Sequence, residues 1–170
     1  QGEAFSLTRK VGAGDFTATV ASGIDWFAVD GRLRVGDATV LRGPTFEKVQ
    51  QAKASWFEQG NIPVHTGFLG ATADGVTTTL GRNGSDYTAT LLGRALSASA
   101  VTIWTDVSGV MTADPSIVDD AYPVPNLSYR EGLELAGLGL RMFHPRTMIP
   151  LLEAGIPMHI RNAIRPQDPG

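Results

Sequence analysis

GFLGATADGVTTTLGRNGSDYTAT, residues 67–90, is the stretch from which the rest of the chain is read. A short apolar strand, Ile62-Pro63-Val64-His65-Thr66, precedes it and breaks at Gly67. A loop rich in Gly, Asp and Thr leads to a β-prone run from Val76 to Leu80. Gly81-Arg82-Asn83-Gly84-Ser85-Asp86 then opens directly into an Ala- and Leu-rich helix expected over 84–97. Glycines let a backbone approach a ligand closely or take positive φ. The N–H groups of a helix start form an anion site, and a guanidinium grips a carboxylate or phosphate through two parallel hydrogen bonds. Strand, glycine loop, arginine and helix N-terminus together predict a pocket for a polar ligand. Ser85 and Asp86 also sit where a hydroxyl and a carboxylate cap a first turn, a role they would fill in any protein.

Outward from this stretch, the upstream chain reads as a helix over 1–23, with Phe5, Val11, Phe16 and Val20 at loose helical spacing. A short strand is expected from Ile24 to Val29, ending in the turn Asp30-Gly31-Arg32, and another from Ala38 to Leu41. Phe46 to Gln59 reads as an amphipathic helix stopped by Gly60, its aromatics belonging to the core. Downstream, Ala100 to Thr105 has the pattern of a buried strand and ends in Asp106. Ligands of open α/β sheets bind beyond the carboxyl ends of strands, which puts that acid in a useful place, although a turn role also explains it. Residues 108–127 hold Ser, Gly, Asp and Pro with little periodicity and predict a long ordered loop. Ser128-Tyr129-Arg130-Glu131 is a capping box opening a helix to about Leu138. A helix from Arg146 to Ala154 stopping at Gly155, a strand from Ile156 to Ile160 and a polar tail from Asn162 complete the chain. His144 reads as a neighbour of the helix cap, without a catalytic role.

Composition narrows the function. A chain of 170 residues with 42% apolar content supports one ordinary core. A net charge of −3 supplies no basic stripe for nucleic acid. The absence of cysteine removes disulfides and thiolate chemistry. No apolar run suggests a membrane span and no signal-peptide pattern opens the chain, so a soluble, cytoplasmic protein is expected. The chain opens at Gln1 rather than Met, as an expressed piece, a processed product or part of something longer would. A Walker loop, a His-rich zinc motif and a Gly-x-Ser-x-Gly elbow are all missing from the sequence.

Thr77-Thr78-Thr79-Leu80-Gly81-Arg82-Asn83-Gly84-Ser85-Asp86-Tyr87 resembles the signature block of the aspartokinases, members of the amino-acid kinase family. Ile103-Trp104-Thr105-Asp106-Val107-Ser108-Gly109-Val110 resembles a second block, continued by Thr112-Ala113-Asp114-Pro115. Leu127-Ser128-Tyr129-Arg130-Glu131 and His144-Pro145-Arg146-Thr147 match two more in the family's order. The resemblance implies an α/β fold, the three-layer αβα sandwich of the amino-acid kinase (carbamate kinase-like) type. Residues 1–170 would be the later portion of a single kinase domain. It also implies transfer of the γ-phosphoryl group of ATP, with Mg2+, to the side-chain carboxylate of L-aspartate. The product, 4-phospho-L-aspartate, enters lysine, methionine and threonine synthesis. Glu3, Arg82, Ser85 and Asp86 would bind aspartate, and Thr105, Asp106, Met111, Ser116, Arg141 and Met142 would form the nucleotide site. Pairing into a homo-oligomer is a family expectation.

Several positions depart from the family pattern. Arg141 stands where relatives have a lysine reaching the ATP phosphates, and a planar fork is not a point charge. Met111 stands where tyrosine is frequent and Ser116 where arginine is frequent. The family's Lys-Phe-Gly-Gly segment and its regulatory ACT domains have no counterpart in these residues. Without them the 170 residues are expected to be inactive on their own. Two readings therefore stay open: a piece of an aspartate kinase, and a non-catalytic binding or interaction module that keeps the pocket.

Overall fold

The computed structural model describes residues 5–11, 14–21, 38–57, 62–73, 75–139 and 144–170. They fall into two compact units, 1–96 and 97–170.

In the first unit the sequence predicts a helix over 1–23, and the chain instead forms a hairpin. Strand β1 (Phe5–Val11) runs antiparallel to β2 (Gly14–Ala21), in register from Phe5↔Val20 to Val11↔Gly14. The reason is legible in hindsight: Phe5, Leu7 and Val11 on one side and Phe16, Ala18 and Val20 on the other alternate with polar residues at a period of two. Threonine and valine favour extended backbone, and Gly12 and Gly14 penalise a helix by about 1 kcal/mol each. The strand expected over 24–29 and its Asp30-Gly31-Arg32 turn lie outside the described residues.

Helix α1 (Arg42–Phe57) starts four residues ahead of the expected Phe46, because Pro44 is well suited to a first helical turn. Thr45, Val49 and Ala52 form its buried stripe, while Phe46 and Trp56 are partly buried and Phe57 is exposed. Two residues of β3 (Val64–His65) pair in parallel with Val20 and Ala21. The strand expected over 38–41 is reduced to an edge contact, the Ala38 amide donating to the Thr79 carbonyl at 3.1 Å. β4 (Leu69–Ala71) and β5 (Thr77–Thr79) form a second hairpin whose turn is tied by Thr72, its hydroxyl accepting from the Val76 amide at 3.0 Å. α2 (Gly84–Ala95) completes the unit. Ala38, Val40, Leu80, Tyr87 and Leu91 make its core, with Phe46 and Leu92 packed against them. Each large apolar side chain buried there contributes about 1.5–3 kcal/mol. The Gln50 side-chain amide, donating to the Ala95 carbonyl, ties α1 to the end of α2.

The second unit rests on a parallel pair, β6 (Val101–Thr105) and β7 (Met158–Asn162), in register from Val101↔Met158 to Thr105↔Asn162. A parallel pair needs a long crossover, here built from the 106–128 loop, α3 (Tyr129–Gly137) and α4 (Pro145–Ala154). The loop's stems pair with each other: the Val124 amide donates to the Val110 carbonyl at 2.7 Å and Thr112 to Tyr122 at 3.0 Å. The predicted capping box is present at Ser128 and Glu131. His144 is the N-cap of α4 itself, its Nδ1 accepting from the Arg146 amide at 3.2 Å. β7 begins two residues later than expected, because Gly155 and Ile156 close α4 by donating to Leu152 and Leu151. Tyr129 donates its hydroxyl to the Ile156 carbonyl at 2.6 Å, and partial burial pushes that phenol up to about 12. Among the described residues no helix is long and apolar enough to cross a membrane.

Candidate functional site

The signature stretch folds so that Thr66-Gly67-Phe68 lies across the start of α2. Phe68 takes a left-handed backbone, φ 74°. Its amide donates to the Thr88 hydroxyl at 3.1 Å and its carbonyl accepts from Leu80 at 2.8 Å. The Thr88 hydroxyl in turn donates to the Gly84 carbonyl at 2.9 Å. Two glycines make this approach possible. A Cβ on Gly84 would stand 2.7 Å from the Phe68 ring, and one on Gly67 would stand 3.0 Å from Ser85.

Asn83, the N-cap of α2, is also left-handed at φ 56° and makes no side-chain cap. The expected capping by Ser85 and Asp86 is therefore not what forms. A side-chain cap needs extended backbone at the cap residue, and Asn83 instead donates its side-chain amide to Asp86 Oδ2 at 3.3 Å. Ser85 and Arg82 are both exposed at this helix start, and Asp86 is half-buried. A helix N-terminus, a hydroxyl and a guanidinium thus share one face-forming turn, a combination suited to a carboxylate ligand.

In the second unit Thr105 closes β6 and donates its hydroxyl to Asp106 Oδ1 at 3.0 Å, leaving Asp106 exposed on the following turn. Further along the loop, Met111 is partly buried and bridges Pro123 through its backbone. Ser116 binds Asp114 Oδ1 with both its amide and its hydroxyl, at 2.9 and 2.6 Å. These bonds hold the Asp114 carboxyl below the usual carboxylate range. Glu3, Arg141 and Met142 lie outside the described residues. The structure therefore gathers Arg82, Ser85 and Asp86 at one helix start and Thr105 and Asp106 at one strand end. A separate cleft of about 660 Å³ has Val110, Leu127, Tyr129, Met148, Ile160 and Pro169 in its wall. Of the sequence-predicted nucleotide residues that are described, Thr105, Asp106, Met111 and Ser116, none lines it.

The sequence reading missed Gly67, Phe68 and Thr88 as the frame around the α2 start, and Asn162 as the residue behind the Thr105–Asp106 turn. Asn162 is 1% exposed, and its side-chain amide donates to the Asp106 carbonyl at 3.2 Å. The available signal was positional: Asn162 closes a strand, Met158–Asn162, in which Met158 and Ile160 alternate with His159 and Arg161.

Residues 15–162 match the amino acid kinase family. Similar proteins include aspartokinase 1, chloroplastic, of Arabidopsis thaliana, 45% identical over 68% of this chain and 20% of that protein. The bifunctional aspartokinase/homoserine dehydrogenase of Haemophilus influenzae is 44% identical over 73% of this chain and 15% of its own length. The chain thus spans about a fifth or less of these relatives. Among solved structures, E. coli aspartokinase III in complex with aspartate and ADP superposes with a TM-score of 0.80 at 34% identity, over 88% of this chain and 33% of that one. UMP kinase from Bacillus anthracis shares the fold alone, with a TM-score of 0.51 at 17% identity over 66% of this chain and 42% of that one.

Proposed function

The chain belongs to the amino acid kinase family, and on that premise we propose that its chemistry is that of an aspartate kinase. The γ-phosphoryl group of ATP would pass to the side-chain carboxylate of L-aspartate, giving 4-phospho-L-aspartate for amino-acid synthesis. The acceptor is already anionic at neutral pH, so the chain has no proton to remove. Its task is to orient the two ligands and to offset charge. Arg82 grips the α-carboxylate of aspartate, the Ser85 hydroxyl and the α2 N-terminus hold the same group, and Glu3 meets the ammonium. Thr105 and Asp106 hold the nucleoside end of ATP, and Arg141 with Met142 borders its phosphates, which carry the Mg2+. Both compact units belong, on this reading, to one kinase domain that pairs with a second copy.

The observation that carries the reading is the α2 start. Its N-cap makes no side-chain cap, Gly67 backs directly onto Ser85, and Arg82 is exposed beside it. A second reading, a ligand-binding module without catalysis, is favoured by Ser116. Its hydroxyl is held by Asp114, and it brings no cation to a polyphosphate.

Calorimetric titration of the chain with L-aspartate and, separately, with Mg-ADP tests both. Aspartate binding should weaken about 10- to 100-fold in Arg82→Ala, the size of a lost charge-assisted hydrogen bond of ~1.5–3 kcal/mol. A folded chain that binds neither ligand would overturn the kinase reading. Binding of both without turnover, even in a chain that carries the Lys-Phe-Gly-Gly segment, would select the module.

A further inference from the structure

We propose that Asn162 is a positioning residue for the nucleotide, acting through the turn after β6, and that it ties this turn to the departing chain, 163–170. The inference rests on the reading of Thr105 and Asp106 as nucleotide residues and names a device that controls them.

The argument is one of saturation. A buried asparagine offers two N–H donors and an acceptor oxygen with two lone pairs. In Asn162 all four are used. The amide nitrogen donates forward to the Asp106 carbonyl at 3.2 Å and to the Ser108 hydroxyl at 2.9 Å. The oxygen accepts from the Ile164 and Arg165 amides at 2.8 and 2.9 Å. One half of the side chain thus grips the turn and the other half grips the tail.

Ser108 repeats the pattern. Its hydroxyl accepts from Asn162 and from Arg165 Nη2 at 3.2 Å, and donates to Asp168 Oδ2 at 2.5 Å. Its one donor and two acceptor positions are filled. Arg165 Nε closes the ring on Asp168 at 3.4 Å. The Ala163 amide adds a backbone bond to the Thr105 carbonyl at 2.7 Å. Asn162 at the centre of this network is buried, Ser108 and Asp168 are half-buried and Arg165 is exposed. A buried hub with every polar group satisfied holds one arrangement, whereas loss of a partner leaves it unpaired and favours rearrangement. The turn bearing Asp106 and the tail are therefore fixed together or loosened together, and whatever pulls on the tail acts on the nucleotide turn.

The test compares the wild-type chain with Asp168→Ala and Ser108→Ala, which cut the tail side and the hub, and with Ser108→Thr, which keeps the hydroxyl. Two quantities are read: amide hydrogen exchange at 106–109, and the Kd for Mg-ADP beside the Kd for L-aspartate. Exchange at 106–109 should rise in Asp168→Ala although the substitution lies in the tail. The Kd for Mg-ADP should rise about fivefold or more in both alanine variants. The Kd for L-aspartate should stay within about twofold, and Ser108→Thr should restore Mg-ADP binding. Faster exchange confined to 163–168 would overturn the coupling. So would equal Mg-ADP affinity in all four chains. If the wild type binds no Mg-ADP, the nucleotide reading itself fails, and exchange at 106–109 in Asp168→Ala still decides whether the Ser108–Asp168 link joins tail to turn.

Discussion

At the scale of single residues, the aspartate end of the proposed site depends on what is missing as much as on what is present. Asn83 enters α2 left-handed and gives its side chain to Asp86. That pairing offsets part of the carboxylate's charge beside a position meant for an anion. Gly84 matters for a different reason. Alanine there would gain up to about 1 kcal/mol in helix propensity, yet its Cβ would meet the Phe68 ring at 2.7 Å and Leu80 Cβ at 3.2 Å. The Phe68 backbone is held by its bonds to Thr88 and Leu80, so any relief must come from turning its ring. Overpacking costs about 1–3 kcal/mol, so it outweighs the propensity gain. Gly84→Ala should lower the urea midpoint and weaken aspartate binding together. An unchanged midpoint with normal binding would mean that the Phe68 segment is free to move aside.

At the scale of elements, what was legible followed local chemistry. Ser128 and Glu131 announced α3 because both halves of a capping box are coded within four residues, and both bonds form. The Glu131 carboxylate accepts from the Ser128 hydroxyl and amide, each at 2.7 Å, which depresses its pKa. A depressed carboxylate stabilises the fold above its unfolded pKa, and that contribution is lost as pH falls through the folded value. Ser128→Ala should cost about 1 kcal/mol at neutral pH. The gap to wild type should narrow in acid below the ordinary carboxylate range, as measured by urea unfolding at two pH values. A gap independent of pH would show that the box's charge contributes nothing. The N-terminal hairpin was misread because a loose helical spacing and a period-two alternation coexist in Phe5–Ala21, and only pairing across Gly12-Ala13 decides between them. Asn162 was missed for a related reason. Its partners, Asp106 and Ser108, are 56 and 54 residues away, brought close only by the parallel register of β6 and β7.

At the scale of the whole molecule, the two groups of proposed ligand residues belong to different compact units: Arg82, Ser85 and Asp86 to 1–96, Thr105 and Asp106 to 97–170. The family resemblance was readable because its blocks are contiguous in sequence, whereas the division of labour between units is a property of the fold. That division has a measurable consequence. A ligand that binds the native state suppresses the openings that break its own site, by about 2.7 kcal/mol at a hundredfold excess over Kd. Exchange at a site amide should slow by the same factor when such openings expose it. Saturating L-aspartate should therefore slow amides at 66–68 and 84–88, where the Phe68 segment meets α2. Saturating Mg-ADP should slow those at 105–109, and at 163–165 through Asn162. Protection of 105–109 by aspartate alone, or of the α2 start by Mg-ADP alone, would reverse the assignment of ligands to units. In that case the signature stretch would be the nucleotide's, and Arg82 would have to be read as a phosphate ligand.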